Sequence, residues 1–107
     1  MLNELARECY EISKDHGFWD HRRTGYNKDE FLNPSIYPEK LALIHSEISE
    51  MLDALRDGDH AHEEEEATDV LIRLLDYAAE RKFDMDKAVM AKMEKNRNRP
   101  YKHGRQF

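Results

Sequence analysis

Two amphipathic segments joined by a very short connection constrain this chain more than any other feature. Leu41, Ile44, Ile48, Met51, Leu52 and Leu55 recur at steps of three and four, which places them on one face of a helix beginning near Pro38. Ala67, Val70, Leu71, Leu74, Leu75 and Ala78 form a second such face, on a helix that runs to about Arg81. Gly58 ends the first of these helices, and Asp59 to His62 read as the link. The glutamates Glu63 to Glu66 then favour the positive end of the next helix. So short a link makes the two helices antiparallel neighbours. An earlier helix carries Leu2, Leu5, Ala6, Cys9, Ile12 and His16 and stops at Gly17. A later one is capped by Asp84, carries Met85, Ala88, Val89 and Met93, and is closed by Pro100. With no strand-like alternation of useful length, the expectation is an all-α bundle of about four helices.

Composition limits how well such a bundle can bury itself. The 107 residues fit one domain, 1–107, with a basic C-terminal tail. Charged residues make up 37%, against roughly 25% in ordinary soluble domains, and apolar residues only 39%. A core this lean is expected to be completed by a second copy, as a homodimer or homotetramer. No stretch approaches the ~20 apolar residues that span a bilayer, and MLNELAREC lacks the apolar core of a signal peptide, so the expected location is cytoplasmic, without membrane contact. Cys9, the single cysteine, excludes an internal disulfide framework and a multi-thiolate zinc site, and reads as a small core residue. The net charge of −6 argues against nonspecific nucleic-acid binding. That charge is uneven, because Lys92 to Phe107 carry +5 and the rest −11.

The first long helix of the pair contains Glu47 and Glu50, and the second contains Glu66 and Asp69. Each pair is spaced i, i+3 and therefore shares a face. Each also borders an apolar stripe: Glu47 and Glu50 flank Ile44, Ile48 and Met51, while Glu66 and Asp69 flank Val70 and Leu74. Antiparallel packing can bring the four carboxylates together, where they repel unless a cation compensates them. Mg²⁺ or Mn²⁺ suits such hard oxygen ligands, together with water and phosphate oxygens. The competing reading of either pair is a solvated charged face.

Two other regions carry candidate chemistry. Gly17 to Tyr37 is long for a connection in a small domain and interleaves aromatics with cations, with Phe18, Trp19, His21, Arg22, Arg23, Tyr26, Phe31 and Tyr37. In the last helix Lys92 and Asn96 are spaced i, i+4 and precede Arg97, Arg99, Tyr101, Lys102 and His103. Cations and an amide fit phosphate oxygens, although a basic helix end is also favoured by the helix dipole alone. His60 and His62 beside the glutamate run fit either a transition metal or a solvated turn. A P-loop ATPase is excluded, because no Gly-rich loop is followed by Lys and Ser or Thr.

The segments EKLALIHSEISEMLDALRDGD, EEEEATDVLIRLLDYA and KMEKNRNRPYKHG resemble the MazG-like, all-α nucleoside triphosphate pyrophosphohydrolases. That family places a Glu-x-x-Glu pair on one helix and a Glu-x-x-Asp pair on the next. Here these are Glu47 with Glu50 and Glu66 with Asp69, separated by fifteen residues. The likeness covers roughly residues 38 to 104 and extends more loosely to the GFW at Gly17 to Trp19. It implies an enzyme that cleaves a (d)NTP to the monophosphate and pyrophosphate with Mg²⁺. Glu47, Glu50, Glu66 and Asp69 would then be the metal ligands, with Glu47 or Glu50 orienting or deprotonating the attacking water. Lys92, Asn96 and Arg99 would contact phosphates. Trp19 would stack on the base or, alternatively, anchor the core or a subunit interface. A reading of a different class is a noncatalytic helical oligomer that binds nucleic acid or an acidic partner through its basic tail.

Overall fold

The computed structural model describes residues 1–20 and 36–101. Four helices follow one another: α1 (Leu2–Asp15), α2 (Ile36–Arg56), α3 (His60–Glu80) and α4 (Met85–Arg97). No strand occurs among the described residues, so the fold is all-α. His21, Arg22, Arg23, Tyr26, Phe31, Lys102 and His103 lie outside the described residues.

The helix ends show how local chemistry sets the register. Gly17 has φ +83° and Gly58 has φ +72°, the left-handed conformation that closes a helix without a Cβ clash. At Gly58 the Asp59 N–H reaches back to the Ala54 carbonyl at 3.0 Å, and the Gly58 N–H reaches the Leu55 carbonyl at 3.1 Å. α3 then starts at His60, three residues before Glu63, because the Asp59 carboxylate accepts from the His62 N–H at 3.0 Å and so caps the helix. The link between α2 and α3 is thus shorter than the sequence suggests. α2 likewise begins at Ile36, two residues before Pro38, which still falls in the first turn where a missing N–H costs little.

α3 ends with the same back-bonded motif, since the Phe83 N–H reaches the Ala78 carbonyl at 2.9 Å. Its left-handed residue, however, is Lys82, at φ +59°. A side chain there strains the backbone by about 1 kcal/mol relative to glycine. Lys82→Gly is therefore expected to raise the melting temperature by roughly 4 to 8 °C, read by circular dichroism. An unchanged or lower value would show that the lysine side chain compensates for its backbone.

α3 is the central helix, packed against both α1 and α2, while α4 leans on α1. That last contact is a reciprocal cap. The Leu2 N–H donates to Asp86, and the Asn3 side-chain carbonyl accepts from the Met85 and Asp86 N–H groups. The aromatic core joins Trp19, Ile36 and Tyr77, with Tyr10 and Tyr37 packed against them. Tyr77 meets Tyr37 and Phe83 edge to face at 6.0 and 6.2 Å.

The apolar stripes read from the sequence are only partly covered. On α2 Ile44 is buried, but Ile48 is 49% and Leu55 58% exposed; on α3 Leu75 is buried, but Leu71 is 48% exposed. Cys9 is only half-buried, at the edge of the core. The physical reason is the placement of α4, which packs on α1 and leaves the outer faces of α2 and α3 open. A radius of gyration of 17.1 Å, against about 13 Å for a compact domain of this length, reflects the same incomplete closure.

Candidate active site

The i, i+3 spacing puts each acid pair on one helix face, and the packing of α2 on α3 brings Glu47, Glu66 and Asp69 together at their seam. One carboxylate oxygen from each of Glu47, Glu66 and Asp69 lies within 4.8 Å of the others. Glu66 is the most enclosed, with only 6% of its surface exposed. Its Oε1 is 3.0 Å from His62 Nε2, while Oε2 is buried with no hydrogen-bond partner. Glu50 stands on the exposed side of the group, close enough to act on both Glu47 and Glu66.

The electrostatics follow from this crowding. The Glu66 carboxyl is pushed up to about 7, first by the neighbouring Glu47 carboxyl and then by burial, with His62 pulling the other way. Glu47 is correspondingly held below the usual carboxylate range by Glu66 and by Arg73. Arg73 Nε donates to Glu47 Oε1 at 3.1 Å. Like charges in a partly buried cluster are costly without a compensating cation, and among the described residues Arg73 beside Glu47 and His62 beside Glu66 supply part of that compensation. The buried Oε2 of Glu66, which no donor among the described residues satisfies, is the feature a hard cation fits.

Beside the acids, a cavity of about 210 Å³ opens between α1, α2 and α3. Asp69 and Arg73 belong to both the acid group and the cavity wall, and Trp19, Lys40, Asp76 and Tyr77 continue that wall. Asp76 accepts from Trp19 Nε1 at 2.8 Å, and burial raises its carboxyl despite that bond. Lys40 donates to the Phe18 carbonyl at 2.5 Å and sits 5.0 Å from the Trp19 ring centre; burial lowers its ammonium.

A family model, the MazG nucleotide pyrophosphohydrolase domain, matches residues 38–103. The chain belongs to this family. No curated protein and no solved structure matches it. Both acid pairs of this MazG domain, the α2–α3 turn and the described part of the basic tail lie inside the matched span.

The remaining sequence candidates are placed differently. Trp19 is 1% exposed and packs in the core, the anchor alternative of the sequence reading, while also lining the cavity wall. Lys92 and Asn96 are exposed on α4, and no hydrogen bond or ion pair among the described residues ties them to the acids. Arg99 is half-buried past the end of α4. Of the residues that touch the acid group, Arg73 is absent from the sequence reading, and His62 enters it only with His60, as a transition-metal candidate or a solvated turn, not as a partner of Glu66. Their signal was present, because His62, Glu66, Asp69 and Arg73 follow one another at steps of four, three and four along α3 and so share a face.

Proposed function

We propose that this MazG domain, residues 1–107 acting as one unit, is a nucleoside triphosphate pyrophosphohydrolase that cleaves a (d)NTP to the (d)NMP and pyrophosphate. The observation that carries the reading is the trio of Glu47, Glu66 and Asp69, one carboxylate oxygen from each within 4.8 Å of the others, whose enclosed member Glu66 has a buried Oε2 with no hydrogen-bond partner among the described residues. Glu47, Glu66 and Asp69, with Glu50 at their exposed edge, would hold Mg²⁺ or Mn²⁺. Bound there, the cation would neutralise triphosphate charge and make water a better nucleophile toward the α-phosphorus. Glu50, exposed at the edge of the group, or Glu47, when free of Arg73, would orient that water and take its proton.

The cavity wall receives the nucleoside, with Trp19 fixing its shape rather than stacking. Lys92, Asn96 and Arg99 supply phosphate contacts from the basic end of α4. The open faces of α2 and α3 fit closure by further copies of the chain as a homodimer or homotetramer. No described helix is long and apolar enough to cross a membrane. A cytoplasmic location fits a nucleotide substrate.

Purified protein incubated with Mg²⁺ and a panel of ribo- and deoxynucleoside triphosphates is expected to release pyrophosphate from at least one of them. Release of orthophosphate alone would refute the α-phosphorus cleavage. No release with either Mg²⁺ or Mn²⁺ would favour the noncatalytic oligomer. Light scattering on the same sample is expected to give at least twice the 12.8 kDa chain mass, and a folded, active monomer would refute the assembly.

A further inference from the structure

Besides Arg73, one more side chain in contact with the acid group belongs to neither acid pair. His62 sits in the first turn of α3, where its own backbone N–H is fixed by the Asp59 cap at 3.0 Å. Its ring then runs along the helix to place Nε2 3.0 Å from Glu66 Oε1, one turn on. The result is an asymmetric carboxyl group, with Oε1 held and Oε2 buried without a partner. His62 itself is outside the trio whose ligand atoms converge, and its side chain is half exposed.

We infer that His62 is a positioning residue that holds Oε1 of Glu66 so that Oε2 is presented to the divalent cation, an inference that rests on the metal-binding reading of the acid group. A carboxylate on a long side chain can rotate about its last bonds, and each rotation carries a donor oxygen out of place. A partner on the non-ligating oxygen removes that freedom before the cation arrives, as outer-sphere partners of metal ligands commonly do. The cap matters to this arrangement. Because Asp59 starts α3 at His60, His62 is helical and stands one turn from Glu66; in a link ending at His62 it would not. His60, also at the start of α3, makes no such contact with the acids among the described residues.

Mn²⁺ titrated into the full chain and followed by calorimetry tests this directly. His62→Ala is expected to weaken Mn²⁺ binding roughly 10- to 100-fold, with the melting temperature of the metal-free protein nearly unchanged because the imidazole is half exposed. His62→Gln, whose side-chain N–H can still donate, is expected to recover much of that loss. Wild-type affinity in His62→Ala, or equal losses in the alanine and glutamine variants, would overturn the positioning role while leaving the metal site standing. Glu66→Gln serves as the control for the site itself. If that variant binds Mn²⁺ as tightly as the unaltered chain, the metal-binding reading fails, and the role of His62 fails with it.

Discussion

Glu66→Gln is expected to lower kcat/KM for triphosphate hydrolysis by at least about two orders of magnitude, beyond the 10- to 100-fold typical of losing an outer-sphere partner. The substitution keeps shape and volume but replaces an anionic ligand atom with a neutral amide. Because Glu66 is the enclosed member of the acid group and Glu47 and Asp69 converge on it, no neighbouring carboxylate can take over its position. The loss should appear in kcat at saturating nucleotide, since stabilisation of the developing charge is what disappears. Asp69→Asn is expected to behave alike. Helicity should persist in both, and full activity in both would remove the acid group from the reaction.

The second large effect is a reversal of stability between metal-free and metal-loaded protein. In the metal-free chain Glu66 titrates near 7 rather than at the ordinary carboxylate value, so the folded state binds its proton more tightly than the unfolded chain does. That contribution is fully present below about 4.5, the unfolded value, and is lost as pH rises through about 7. Glu47 shifts the other way, and its contribution is lost only as pH falls through its depressed value. With chelator present, the melting temperature is therefore expected to fall between about pH 4.5 and pH 7 because of Glu66. Glu66→Gln, which removes one of the crowded charges, should abolish that fall and melt above wild type at pH 8. Excess Mn²⁺ at pH 8 should raise the wild-type melting temperature and leave Glu66→Gln nearly unmoved. A wild-type protein insensitive to Mn²⁺ would contradict the cation-binding role of the cluster.

The sequence reading failed at particular residues for physical reasons. The start of α3 was misplaced because a run of four glutamates looks like a helix start, whereas the stronger local signal was Asp59, whose side chain competes for the backbone N–H of His62. For Trp19 the sequence leaves two readings open, a stacking platform and a core or interface anchor; in the fold its indole N–H bonds Asp76 and its ring packs on Tyr10 and the cluster around Ile36 and Tyr77, as an anchor does. Residues 57 apart in the chain make that bond, and no periodicity carries such information. Arg73 was visible in principle, four residues after Asp69, but a cation on a helix face is ordinary until a specific carboxylate on the facing helix is known.

What the sequence determined by itself is whatever follows from short-range geometry. The 3.6-residue period set four helices, Gly17 and Gly58 set two of their ends, and the i, i+3 spacing put Glu47 with Glu50 and Glu66 with Asp69 on common faces. The short turn then made α2 and α3 partners, so the meeting of the two pairs was legible as well. Tertiary structure alone decided the rotation of α2 about its axis, which draws Glu47 into the trio and leaves Glu50 at the edge. It also decided the docking of α4 on α1, which leaves Ile48, Leu55 and Leu71 uncovered and Lys92 and Asn96 on an exposed face. Helix rotation and docking are fixed by the summed packing of distant side chains, in which contacts of ~0.1–0.2 kcal/mol each add across the interface, and no local pattern in the chain encodes that sum.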